Sequence, residues 1–269
     1  MTWWGRVGTG LVAPLADLVL PRACAGCGRP GRVLCPRCAA LLADPRPAQP
    51  RRHPTGFPPT VAAGGYAGSV RPVVNAFKER GQADLAAPLG TALALAVSAV
   101  LRAARDGPGG VRPGPGRPVL LVPVPSTRAA LRERGRDHVG ELTAAAVREL
   151  RDAGLPVAAA PLLARRGRVR DSAGLSADER RANLAGSVVP VARGRRYGPG
   201  RDGVRPALLV LVDDVVTTGA TLTVAAGVLA GHRHARDAPV VGAVVAATPL
   251  GRRAVPTDPG PGVFTVRDL

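Results

Sequence analysis

A chain of 269 residues is long enough for one sizeable α/β domain with a small appendage, and 46% hydrophobic residues exclude global disorder. Lys and Arg number 37 against 19 Asp and Glu, a formal net charge of +18 that calls for an acidic partner or a phosphate-rich ligand unless it is spread over a solvated surface. Aromatics at 3% leave little material for base-stacking platforms.

In chain order, residues 7–20 are apolar but follow a single arginine, Arg6, and two tryptophans. That is a poor match to the basic start of a secretory signal, so a cytoplasmic location is expected. Within this run, 11–20 carries apolar residues at helical spacing and leads into all four cysteines: Cys24-Ala-Gly-Cys27, a short glycine-containing loop at 28–34, then Cys35-Pro-Arg-Cys38. Two CxxC pairs at this separation match a tetrahedral four-cysteine zinc site. Each CxxC turns its thiolates toward one point, and Arg22, Arg29, Arg32 and Arg37 favour the thiolate form. Two disulfides are the rival arrangement. A bridge within CxxC closes a strained small ring, and nothing in the sequence argues for an oxidising compartment. A closed four-thiolate site has no open coordination position, so its role is structural or adhesive. Residues 1–43 are expected to form this helix and knuckle, and proline-rich 44–59 an extended linker.

The main domain is expected over 60–250, opening with a strand at 61–66 and a helix at 70–80 with Phe77 facing in and Lys78 near its end. The apolar run 85–101 is interrupted by Pro88, Gly90, Thr91 and Ser98, so it reads as a buried helix and no membrane span is expected. A Gly/Pro loop at 107–118 precedes a strand at 119–124, which runs into Pro123-Val124-Pro125-Ser126-Thr127-Arg128. A helix follows at 136–151. Residues 162–166 read as a short strand ending in Arg165 and Arg166, 167–177 as a loop without apolar periodicity, and 178–184 as a helical turn. Further strands are expected at 188–191 and 240–247, with a basic, glycine-rich insert at 193–206 and a Pro/Gly-punctuated tail at 251–269. Neither a Walker A nor a Rossmann glycine pattern is present, and His232 and His234 read as solvated.

Residues 208–221 carry the most chemistry. An aliphatic run fit for a buried parallel strand ends at Asp213 and Asp214, turns through Thr217, Thr218, Gly219, Ala220 and Thr221, and enters a helix at 222–230. In an open α/β sheet, ligands bind outside the carboxyl ends of the strands. Amides and hydroxyls of 217–221, backed by the positive end of the helix, suit one anion. Asp213 and Asp214 repel a phosphate but accept hydrogen bonds from the hydroxyls of a sugar attached to it. Helix capping explains one such polar residue, but not the set. The chemistry asks for a sugar 5-phosphate.

Residues 210–221 resemble the signature of the type I phosphoribosyltransferases, in which an acidic pair holds the ribose hydroxyls of phosphoribosyl pyrophosphate (PRPP) and a Thr/Gly loop holds its 5-phosphate. The four-cysteine knuckle, the Val-Pro-Val-Pro strand end and Gly-Leu-Ser-Ala-Asp-Glu-Arg-Arg-Ala-Asn-Leu at 174–184 extend the likeness over roughly residues 11–250. In that order they resemble the ComF family, associated with DNA uptake in naturally competent bacteria. The resemblance implies a type I phosphoribosyltransferase-like α/β fold, a mostly parallel sheet with flanking helices, plus a small zinc module on Cys24, Cys27, Cys35 and Cys38. It implies Mg²⁺-bound PRPP as ligand, Asp213 and Asp214 as the catalytic pair, and the 5-phosphate on Thr217, Thr218, Gly219, Ala220 and Thr221. The pyrophosphate would meet Pro125, Ser126, Arg128, Arg165 and Arg166, with Arg170 on a closing loop. Two functions stay open: phosphoribosyl transfer to a nitrogen acceptor, or a non-catalytic protein that binds single-stranded DNA, senses PRPP and works with competence machinery proteins. Where family members show an aromatic and then Asn-Gln after Arg-Gly, this chain has Arg136-Asp137-His138. A ligand role and a capped helix start are equally open there.

Overall fold

The computed structural model describes residues 22–50, 54–107, 110–166, 187–191, 205–231 and 238–249. The expected 11–20 helix, the 167–184 segment with Arg170, the insert at 193–204, His232, His234 and the tail lie outside them. Among the described residues the elements are α1 (Pro36–Ala40), β1 (Arg46–Pro47), β2 (Thr60–Gly65), α2 (Val70–Lys78), α3 (Ala86–Asp106), β3 (Val119–Pro123), α4 (Arg128–Arg134), α5 (His138–Asp152), β4 (Val157–Ala159), β5 (Leu163–Arg165), β6 (Val188–Pro190), β7 (Leu208–Val216), α6 (Ala220–Ala230) and β8 (Val240–Ala247).

The fold is α/β, built on a mixed six-stranded sheet in the order β1-β2-β8-β7-β3-β4. All neighbours run parallel except β1, which is antiparallel to β2 at the edge. β5 and β6 form a separate antiparallel pair. The aliphatic run of β7 has no polar side because helices cover both faces of the sheet. Leu208, Val210 and Val212 point to the core formed with α2, α3 and α5, whereas Leu209 and Leu211 point to the core under α6. The next two residues in this alternation are the carboxylates, so Asp213 and Asp214 leave the strand toward opposite faces.

The sheet also fixes where a ligand can enter. β3 continues to β4 on one side, while β7, its neighbour, continues to β8 on the other. Chain leaving the carboxyl ends of these adjacent strands diverges, which opens a crevice at that point. Pro123 of β3 pairs with Val212 of β7, so the Pro125–Thr127 loop and the Asp213–Asp214 pair emerge side by side.

α3 is the 85–101 run, extended to Asp106. By length and composition it is able to cross a membrane, yet about two-thirds of its apolar window is buried against β2, β8 and α5. Gly90 lets α5 approach: a Cβ there would collide with the Cβ of Ala145. Each fully buried leucine on α3, such as Leu89 or Leu93, contributes about 2 kcal/mol of transfer free energy.

The first part of the 44–59 stretch, expected as an extended linker, is joined to the sheet edge. The Asp44 amide donates to the Ala63 carbonyl, Arg46–Pro47 pairs with β2, and Ala48 and Pro50 are buried. Proline is tolerated because β1 is an edge strand, which needs ladder donors on one side only. The knuckle is likewise fused to the domain. Cys24, Leu34, Cys35, Cys38 and Leu42 belong to the same core as α2 and α3, and a Cβ on Gly26 would meet Ser69 O at 2.9 Å and Val73 at 3.1 Å.

Candidate functional site

A cleft of about 360 Å³ opens where β3 and β7 end. Pro125, Ser126 and Thr127 line it from the loop after β3, and Asp213, Asp214, Val215 and Thr221 from β7 and the start of α6. Lys78, Arg134, His138 and Arg165 complete its polar wall. A wider depression of about 510 Å³ lies elsewhere, between Ala86, Ala159 and the Glu141–Arg151 face of α5. It lacks both the acid pair and the strand-end loops, so the smaller cleft is the candidate site.

The two acids are not equivalent. Asp214 is 3% exposed and fully engaged: its Oδ2 accepts from Lys78 Nζ at 2.9 Å and lies 3.1 Å from His138 Nε2, and its Oδ1 accepts from the Val215 amide at 2.7 Å. Burial raises its pKa, but the His138 hydrogen bond and the Lys78 charge outweigh burial and hold the carboxyl well below its usual range. An ionised carboxylate only accepts, so His138 Nε2 carries the proton. That leaves His138 Nδ1 buried and without a partner among the described residues. Lys78 responds in kind: burial lowers its pKa, but Asp214 more than offsets this and raises it.

Asp213 sits half-buried on the other side of the strand end and accepts from the Asp214 amide at 2.9 Å. Burial and the adjacent Asp214 charge push its carboxyl well above the usual range, against the Asp214 amide and Lys78. It is the acid with capacity left for a ligand.

The turn after β7 is shaped for close approach. Gly219 has φ 77°, a conformation glycine adopts without strain, and a Cβ there would meet Phe57 at 2.8 Å and Pro50 at 3.0 Å. Pro50 and Phe57 thus back the turn. Thr217 and Thr218 are exposed, Ala220 and Thr221 half-buried, and the amides of Thr217, Thr218 and Gly219 donate to no protein acceptor among the described residues. Free amides ahead of a helix N-terminus favour an anion.

Arg165 reaches the cleft from β5, held by Nε donating to Pro125 O at 3.0 Å and Nη1 to Ser187 Oγ at 3.3 Å. Burial lowers its pKa, opposed by Asp213. Arg128 and Arg166 are exposed and outside the cleft wall. The cleft wall therefore joins Pro125, Ser126, Arg165, Asp213, Asp214 and Thr221; Arg128, Arg166, Thr217, Thr218, Gly219 and Ala220 are not part of it.

Lys78 and His138 are the site residues that sequence reasoning missed. The turn around Gly135 explains how they are placed. Arg134 makes a bidentate pair with Glu79 at 3.0 Å each, while Arg136 donates to Phe77 O at 3.1 Å, lies 4.4 Å above the Phe77 ring and pairs with Glu141. Gly135, in the left-handed region at φ 67°, lets these two arginines grip the last turn of α2. Asp137 caps α5 by accepting from the Gly140 amide at 3.1 Å, which starts the helix at His138. The capped helix start and a place in the site are both realised within Arg136-Asp137-His138.

In the knuckle, the four cysteine sulfurs lie within 4.8 Å of one another, with Cys27 and Cys35 at 3.6 Å, and all four are free thiols. Tetrahedral zinc–sulfur bonds near 2.3 Å place ligand sulfurs about 3.8 Å apart, so the cluster fits such an ion. Burial raises Cys24, but amides of Cys35, Cys27 and Gly26 bring it down to about 6; burial and the neighbouring sulfurs push Cys38 up. Four crowded thiolates need a cation to coexist, and these residues can hold a metal ion. Compared with protein-family models and with curated proteins, the sequence matches none.

Proposed function

We propose that the cleft binds PRPP, entering with Mg²⁺ as part of the substrate, and that the protein has the type I phosphoribosyltransferase fold in a ComF-like organisation. One observation carries this: the acid pair, Thr221 at the start of α6 and the Pro125–Thr127 loop line one open cleft at the point where the strand order diverges, with the free amides of residues 217–219 in the turn just before Thr221. The 5-phosphate binds at the Gly219 turn, ribose hydroxyls meet Asp213, and the pyrophosphate faces the β3 loop and Arg165. Thr217 to Thr221 supply the amides and hydroxyls.

The reaction class is displacement of pyrophosphate by a nitrogen nucleophile: the C1–N bond forms as C1–O breaks, and the nitrogen's proton leaves to solvent. Ribose becomes cationic on the way, which draws Asp213 into its ionised form beside that charge. Magnesium neutralises the leaving group. No strongly tuned general base is needed; positioning supplies most of the rate. Titration with PRPP tests the site. Wild type is expected to bind it and Asp213→Asn to lose at least tenfold in affinity while staying folded. Equal binding by both would refute the assignment.

The cluster of Cys24, Cys27, Cys35 and Cys38 holds structural zinc in this proposal, and the protein acts in the cytoplasm in support of DNA uptake. The net charge of +18 favours a second reading, a protein that contacts single-stranded DNA and competence partners and uses the pocket to sense PRPP. Filter binding at two salt concentrations separates them. DNA retention that weakens steeply with salt, without pyrophosphate release from PRPP across a panel of nucleobases and amines, would favour the second.

A further inference from the structure

Lys78 is the only lysine of the chain, and it lies at the cleft rather than on the outer surface. Its side chain is 30% exposed, against 3% for the Asp214 it contacts, so one face of the ammonium looks into the open space. Among the described residues, the other cations of the wall are fixed in position. Arg134 is bidentate on Glu79, and Arg165 is tied to Pro125 and Ser187.

Asp214, in contrast, does not depend on Lys78 alone. Without it, Oδ2 still faces His138 Nε2 and Oδ1 still accepts the Val215 amide. An ammonium has three donors and a flexible stem, so it can exchange one acceptor for another at little cost in geometry. The backbone beneath it does not move as easily, because Arg134 and Arg136 hold the residues on either side, Glu79 and Phe77. That same grip sets Lys78 beside α4, the helix that continues the Pro125–Thr127 loop.

Resting on the PRPP assignment above, we infer that Lys78 is the movable cation of the site: it rests on Asp214 when the cleft is empty and turns to the pyrophosphate when PRPP binds. His138 is the positioning residue that keeps Asp214 satisfied after Lys78 leaves. The 5-phosphate, held at the Gly219 turn, is outside this exchange.

Calorimetric titration with PRPP and with ribose 5-phosphate separates the ends of the ligand. Lys78→Met should lose at least tenfold in PRPP affinity and stay within twofold for ribose 5-phosphate. An unchanged PRPP affinity, or equal losses for both ligands as a merely structural role would give, overturns the inference. A second measurement needs no variant: untagged protein grown with ¹³Cε-lysine carries one labelled side-chain resonance. PRPP and inorganic pyrophosphate should shift it along the same saturation curve that calorimetry gives, and ribose 5-phosphate should leave it in place. A resonance indifferent to PRPP overturns the inference even if Lys78→Met fails to fold. Wild type that binds neither PRPP nor ribose 5-phosphate would overturn the PRPP assignment itself, and this inference with it.

Discussion

Replacing Asp214 by Asn tests the electrostatics of the cleft floor directly. The substitution keeps the size of the side chain and one carbonyl oxygen, so the Val215 amide retains an acceptor. What disappears is the charge facing Lys78 at 2.9 Å and one acceptor near His138. Breaking a buried ion pair costs about 3–5 kcal/mol; because Lys78 is 30% exposed and rehydrates in part, about 2–3 kcal/mol is expected here. For a chain of this size that lowers Tm by about 5–10 °C. The pH dependence has a definite sign. The folded Asp214 carboxyl titrates well below its ordinary value of 3.8, so its stabilisation is complete above that value and is lost as pH falls through the depressed one. Urea unfolding followed by circular dichroism should give a wild-type advantage at pH 7 that shrinks by pH 3. A cost below about 0.5 kcal/mol at pH 7, the scale of a neutral surface substitution, or one that is the same at both pH values, would refute the charge network described here.

Asp213→Asn should behave oppositely. Its folded carboxyl titrates above the ordinary range, so ionisation opposes folding as pH rises, and unfolding at pH 7 should show the variant at least as stable as wild type. Purified protein should contain one zinc per chain by mass spectrometry of metals, and Cys38→Ser should abolish it and lower Tm, since the cluster lies in the same core as α2 and α3. Gly219→Ala places a Cβ against Phe57 at 2.8 Å and imposes φ 77° on a chiral residue. A loss of about 1–3 kcal/mol in urea unfolding is expected, together with weaker ribose 5-phosphate binding.

Signals that lie within a few residues of each other were legible in the sequence. The run 208–216, the turn at Gly219 and the two CxxC pairs each announce their local geometry, because strand burial, positive φ and thiolate convergence are set by adjacent residues. The sheet edge was not legible: Arg46–Pro47 resembles a linker until β2 supplies its partner. His138 illustrates the same limit. Its neighbours mark only a helix start, and its role comes from Asp214, 76 residues away. Lys78 looked like the basic end of an amphipathic helix, which it also is. Arg128 and Arg166 show the converse, since arginine next to a strand end invites a ligand role, yet both are exposed and neither lines the cleft.

Lys78 also changes what the knuckle is for. α2 is nine residues long, too short to hold its place by backbone hydrogen bonds alone. Its start abuts the knuckle through Gly26, Ser69 and Val73, and its buried side, Val70, Val73, Val74, Ala76 and Phe77, packs into the core that Cys24, Cys35 and Cys38 share. Its end is gripped by Arg134 and Arg136 and delivers Lys78 to Asp214. The cysteine cluster and the cleft therefore lie at the two ends of one short helix. A closed four-sulfur site has no chemistry to offer a substrate, but by fixing the start of α2 it limits where the ammonium at the other end can rest.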